Sequence, residues 1–191
     1  MIFASLAVAL ALKGGFFNIG VSGQMLFAGF CAHMTALVIP SKIVIIIVGF
    51  IAGALIGALI GWLKSSFNVN EVVSSIMLNS ILMYVITFYI YSFYVNPVSR
   101  QSASISAAAR LTLSGFRWEG LKVDIALAFP VAIIIALVLH WFIEKTTYGY
   151  EIKASGLSPR AAHYAGMDVK KIAVITMTIS GALAGLAGVA Y

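Results

Sequence analysis

The run IVIIIVGFIAGALIGALIGWL, residues 43–63, carries no charged side chain between Lys42 and Lys64. At 1.5 Å per residue it extends over about 30 Å, the thickness of a bilayer's hydrocarbon core, and so reads as a transmembrane helix. Within it Gly49, Gly53, Gly57 and Gly61 recur at every fourth position. That spacing puts them on one helical face, where the missing side chains let another helix come close.

The rest of the chain repeats this character. Hydrophobic residues make up 62% of the 191 positions and charged residues 9%, more apolar surface than one water-soluble core can hide, so lipid is the solvent for most of it. Three further runs are long enough to cross: residues 18–39, 72–95 and 125–143. Together with 43–63 they make four complete spans. Runs 1–12 and 172–191 touch the chain ends; the first is too short to cross, and the second stops without a flanking charge. The predicted fold is an all-α, polytopic transmembrane helical bundle, incomplete at both ends, with residues 1–191 forming part of one domain. Gly181, Gly185 and Gly188, with Ala184, offer a second small-residue surface in the last run.

Alternating spans place Lys13, Lys64 and the break 144–171 on one side, with seven basic residues, and Lys42, Arg100, Arg110, Arg117 and Lys122 on the other, with five. The positive-inside rule favours the first side as cytoplasmic. The break 96–124, rich in Ser and Ala, is then an external loop with room for a short surface helix. A net charge of +6 does not point to nucleic acid, because the basic residues are scattered over the breaks rather than forming a stripe with interleaved aromatics. Cys31 is the single cysteine, which excludes a disulfide or zinc framework.

Polar groups inside the spans are costly and therefore informative. Asn18, Gly20, Ser22, Gly23 and Gln24 cluster at the start of one span. A backbone broken at Gly20 and Gly23 is tolerable only against protein or a water-filled cavity, which makes Asn18 and Gln24 candidate pathway-lining groups; the alternative is an ordinary helix start capped by Asn18. Asn70 followed by Glu71 reads as a cap with an acidic first turn. Asn79 lies well inside its span and either lines a pathway or bonds a neighbouring helix. His33 is also deep, and reads as a functional group or as a helix-packing residue. No second metal ligand and no carboxylate relay accompany it. Gly20-Val21-Ser22-Gly23 matches the GxSG pattern of rhomboid-like intramembrane proteases, but the base that such a serine needs is missing: His140 is followed by Trp141 and Phe142 rather than by glycines.

In the break 144–171, Ser158 reads as an N-cap, Pro159 as the first helical residue and Gly166 as the closing residue of a short helix. Two turns do not hold in water unaided. Ala161 and Ala162 permit close approach of a partner and Tyr164 supplies an anchor; Lys153, Arg160, Lys170 and Lys171 also suit a helix lying on anionic lipid.

The motif Ala161-Ala162, three residues, then Gly166 resembles the core of the EAA loop through which ABC-importer permeases engage their ATPase, with Arg160 where the general pattern has Glu. Phe17-Asn18-Ile19-Gly20-Val21-Ser22-Gly23-Gln24-Met25, Asn70-Glu71-Val72 with Met77-Leu78-Asn79, and Tyr164-Ala165-Gly166-Met167 followed by Ser180-Gly181-Ala182-Leu183-Ala184-Gly185-Leu186-Ala187-Gly188 resemble, in order, permeases of the branched-chain amino acid, ribose and nucleoside group, closest to the nucleoside or simple-sugar branch. Ser22 stands where many members carry Glu. The resemblance implies a permease subunit without catalytic residues, cofactor or metal. Its implied partners are a separate ATP-binding subunit, a second permease subunit and an extracytoplasmic substrate-binding lipoprotein. It also implies that 144–171 is the cytoplasmic ATPase-docking loop, with Arg160, Ala161, Ala162, Tyr164 and Gly166 at the contact. No GxxxxGK[ST] motif occurs, so ATP binds a partner on this reading. The competing class is a secondary transporter or channel for small polar solutes.

Overall fold

The computed structural model describes residues 1–93, 112–113, 117–118, 121–122, 125–126 and 128–190. Among the described residues eight helices carry the fold: α1 (Ile2–Lys13), α2 (Val21–Val38), α3 (Lys42–Phe67), α4 (Glu71–Phe93), α5 (Ala128–Lys145), α6 (Thr147–Leu157), α7 (Pro159–Tyr164) and α8 (Val169–Ala190). Five of them, α2, α3, α4, α5 and α8, are long and apolar enough to cross a membrane. This corrects the expected four. Asp168 Oδ1 accepts the backbone amides of Lys170 and Lys171, each at 3.1 Å, so the last helix starts at Val169 and takes both lysines into its first turn.

Between α4 and α5 the described residues form two antiparallel pairings: β1 (Thr112–Leu113) with β4 (Ile125–Ala126), and β2 (Arg117–Trp118) with β3 (Leu121–Lys122), so the start of the expected span 125–143 is extended and its helix begins at Ala128. The remainder of the expected external loop, and with it the surface-helix expectation, lies outside the described residues.

The core is a seam between α3 and α8, which run antiparallel. The two glycine sets read from the sequence face each other. A Cβ added at Gly53 meets the Gly181 carbonyl and lies 2.6 Å from Gly185 Cα; one at Gly57 lies 2.9 Å from Gly181 Cα, and one at Gly61 lies 2.8 Å from Val174 Cα. The two backbones are thus in direct contact, close packing being the main attraction between helices where the solvent is as apolar as the side chains. Gly188 turns instead toward α2, where a Cβ falls 2.8 Å from the Met25 carbonyl carbon.

Around this seam α1 and α5 close the other face of α8. Ala7 and Leu10 pack with Leu139, Ile143, Leu183 and Ala184, and Phe3 packs with Ala132, Leu186 and Ala187. By contrast α4 buries only Glu71, Ser74, Ser75 and Ile86 and presents Tyr84, Phe88, Tyr91 and Phe93 outward. At its start Asn70 Oδ1 accepts the Val72 amide at 2.9 Å, as the capping pattern predicts. Glu71 pairs with Lys64 at the end of α3, so each charge sits at the helix terminus whose dipole favours it.

Candidate functional site

Between α1 and α2 the chain is not helical. Gly15 adopts φ +75, a left-handed conformation glycine takes without steric cost, and the chain reverses there. A Cβ on Gly15 lies 3.0 Å from Gly156 Cα in α6, so this turn rests on α6. Phe16 then inserts among Ile60, Ala173 and Met177, and residues 16–20 run inward without helical structure. Helix α2 therefore starts inside the bundle, not at Asn18, and its beginning is level with Ser180, about 16 Å along α8 at 1.5 Å per residue.

Asn18 and Gln24 hold this break. Asn18 Nδ2 donates to Gln24 Oε1 (3.0 Å) and to Ser180 Oγ (2.9 Å). Asn18 Oδ1 accepts the Gly20 amide (3.2 Å) and Gln24 Nε2 (3.3 Å), and Ser180 Oγ donates to the Ala7 carbonyl (2.7 Å). Asn18, Gln24 and Ser180 are all buried, Gln24 and Ser180 completely. An uncharged network of this kind satisfies polar groups that would be expensive in hydrocarbon. Their side chains bond one another rather than facing a cavity. From sequence Ser180 enters only as the first residue of the last family motif; its place in the network is not legible there because it depends on α1 and α8 meeting.

Gly20 and Gly23 turn toward α4. A Cβ on Gly20 lies 3.3 Å from Ser75 Cβ, and one on Gly23 lies 2.8 Å from Asn79 Cα. Ser22 Oγ donates to Asn79 Oδ1 at 3.0 Å, so Asn79 makes an interhelical bond, one of the two readings its position allows, and the partner of Ser22 is an amide rather than a histidine base. Beyond Ser22 a cavity of about 430 Å³ lies between α2 and α4, bounded behind by Gly188.

At the opposite end, the break 144–171 is mostly helical. Thr146 Oγ1 accepts the Gly149 amide at 3.1 Å and starts α6, a helix the sequence reading missed although Thr146 is a good capping residue. Gly149 leaves room for the last carbonyls of α5, and Gly156 touches the turn after α1. The predicted short helix is α7: the Ala161 amide donates to Ser158 Oγ at 3.3 Å and Pro159 takes the first position. Gly166 has φ +83; its amide bonds the His163 carbonyl and that of Met167 bonds the Ala162 carbonyl, each at 3.0 Å, the Schellman closure that a glycine permits. Ala162 is buried, 2% exposed, while Arg160, Ala161 and Gly166 face out and Tyr164 is 91% exposed. Leu157, 89% exposed, flanks the same surface and was not singled out from the sequence.

Membrane-length helices, a helix that begins inside the bundle after a segment held by uncharged polar groups, and a short capped helix standing outside it together make this a multi-pass α-helical membrane protein. Its family is shown by a match over residues 1–191: the chain belongs to the family described as branched-chain amino acid transport system / permease component. Among similar proteins, the nucleoside ABC transporter permease protein NupB of Lactococcus lactis is 35% identical over 100% of this chain and 56% of its own length. The guanosine ABC transporter permease protein NupP of Bacillus subtilis is 37% identical over 98% of this chain and 55% of its own length. A glucose ABC transporter permease of Haloferax volcanii is 29% identical over 100% of the chain and 53% of its own length. The chain thus spans about half the length of the relatives it matches. No solved structure matches it.

Proposed function

We propose that this chain is part of the permease subunit of an ATP-driven importer that forms the translocation path for a nucleoside or simple sugar across the cytoplasmic membrane, while a separate subunit hydrolyses ATP. The observation that carries this reading, beside family membership, is α7. Six residues closed at both ends, seated on Ala162 and presenting Tyr164 almost wholly outward, its ring edge-on to neighbouring His163, form a contact element with an exposed aromatic anchor of the kind that dominates interfaces. We assign Arg160, Ala161, Tyr164 and Gly166, with Leu157 beside them, to the ATPase contact, and Ala162 to holding α7 in its seat.

The same end of the bundle gathers Lys13, Lys64, Lys145, Lys153, Arg160, Lys170 and Lys171, which supports a cytoplasmic location for 144–171. The opposite loop, 96–124, is our candidate surface for a substrate-binding lipoprotein. A second permease subunit completes the path. Movement of α7 reaches the interior through contiguous packing: α7 on α6, Gly156 of α6 on the Gly14–Gly15 turn, and from there the Asn18 network that holds the start of α2. The path runs past Gly20, Gly23 and Asn79, with Asn18 and Gln24 fixing its wall from behind.

The test is uptake of labelled solutes by the assembled transporter, with an active ATPase and with one unable to hydrolyse ATP. Accumulation is expected only with the active ATPase. Equal accumulation with both supports a secondary transporter or channel and contradicts the proposal.

A further inference from the structure

The cavity between α2 and α4 is unlike the other lipid-depth surfaces of the molecule because its polar groups are placed at its ends. Ser22, Leu26, Gly29 and His33 line it from α2 and, spaced four, three and four residues apart, share one face of the helix. Ser22 and His33 are about 16 Å apart along the axis at 1.5 Å per residue. Between them the walls are apolar and aromatic or thioether in part: Met25, Phe30 and Met34 from α2, with Ile86 and Ile90 from α4. Phe30 is held edge-on by Tyr89, ring centroids 5.6 Å apart, so its orientation is fixed from outside the cavity. No charged residue lines the space.

Among the described residues His33 makes no hydrogen bond, and Ser22, whose hydroxyl donates to Asn79, lines the cavity with its oxygen lone pairs unused. Polar groups left so at this depth favour a polar occupant. An acyl chain satisfies neither end. A hexose carries hydroxyls around its whole rim and needs donors and acceptors on all sides, which these walls lack. A free amino acid brings two charges that nothing here balances. A flat heteroaromatic body with hydrogen-bonding groups at opposite ends matches the arrangement: its faces stack on Phe30 and the methionine sulfurs while its ends reach His33 and the Ser22–Asn79 pair. The volume of about 430 Å³ falls within the range of small-molecule pockets, roughly 300–1,000 Å³.

We infer that this cavity is the solute site of the translocation path and that its solute is of nucleoside type, a planar base joined to a hydroxylated group, with His33 as a specificity-determining residue. The inference rests on the permease reading and narrows it to one solute class and one site.

The experiment measures ATP-dependent uptake of labelled adenosine, uridine, ribose, glucose and leucine by the assembled transporter, for the unaltered protein, His33→Leu, His33→Gln and Leu26→Trp. Leu26 is partly exposed and lines the cavity, so tryptophan there occupies space without entering the seam; co-purification with the ATPase confirms assembly of each variant. The unaltered protein is expected to accumulate the nucleosides at least about tenfold over the other solutes, a difference of about 1.4 kcal/mol. Leu26→Trp and His33→Leu should lose most of that uptake, and His33→Gln should recover part of it. Preferential uptake of ribose, glucose or leucine overturns the inference and leaves the permease reading standing, as does unchanged nucleoside uptake in Leu26→Trp and His33→Leu. Absence of ATP-dependent uptake of every solute overturns both.

Discussion

Glycine is used in two different ways on the two sides of this bundle. Along α3 and α8, Gly53, Gly57, Gly181 and Gly185 press backbone against backbone and leave no space. Along α2 and α4, Gly20 and Gly23 bring the two helices together next to Ser75, Ser22 and Asn79, and further along a cavity lies between them beside the Phe30–Tyr89 contact. Small residues by themselves therefore do not tell a packing seam from a pathway. What separates them is the company: the seam is flanked by aliphatic side chains, the α2–α4 side by neutral polar ones that hydrocarbon would penalise.

This contrast can be broken at four points of decreasing effect on the fold. In the seam, Gly57→Leu drives a side chain into the Met177 carbonyl and Gly181 and is expected to cost about 3 kcal/mol or more, visible as loss of folded protein in detergent melting. At the joint between the two regions, Asn18→Leu leaves Gln24 and Ser180 without their partner and should cost about 1–3 kcal/mol. Adding Gln24→Leu to it should cost less than the sum of the single changes, because both belong to one network; additive losses would show that the network is not a unit. On the open side, Asn79→Leu removes one interhelical bond and is expected to cost only about 0.6 kcal/mol, yet to lower uptake clearly. A melting-temperature loss as large as that of Asn18→Leu would place Asn79 among the packing residues instead. Outside the bundle, Tyr164→Ala should change stability by less than about 0.5 kcal/mol while weakening co-purification with the ATPase; undiminished co-purification would remove α7 from the docking surface.

The membrane fold was legible because hydrocarbon imposes a length and a composition on every span, and 43–63 obeys both. The caps Asn70, Ser158 and Gly166 were legible because each satisfies backbone groups locally. Partnerships between helices were not. Nothing within residues 43–63 says that its glycines meet Gly181 and Gly185, and nothing near Asn18 names Ser180, more than a hundred and fifty residues away. Gln24 looked like a pathway group because a polar residue in a span must bond something; only the fold shows that its bond is to Asn18. Ala162 was grouped with Ala161 from sequence, yet successive residues of a helix point in different directions, and only Ala162 faces inward.

The central claim, that the α2–α4 side is a solute-accessible path and the α3–α8 seam is not, is tested most directly by thiol labelling of the assembled transporter in a Cys31→Ser background. Single cysteines replace Ser22, Leu26 and Ile90 in the cavity and Met177, buried against Gly57 and Gly61 in the seam. With a membrane-impermeant, water-soluble maleimide, the three cavity positions are expected to label, to be protected by transported solute, and to change reactivity when ATP is added, while position 177 stays unreactive. Unreactive cavity positions, or reactivity indifferent to solute, would contradict the account.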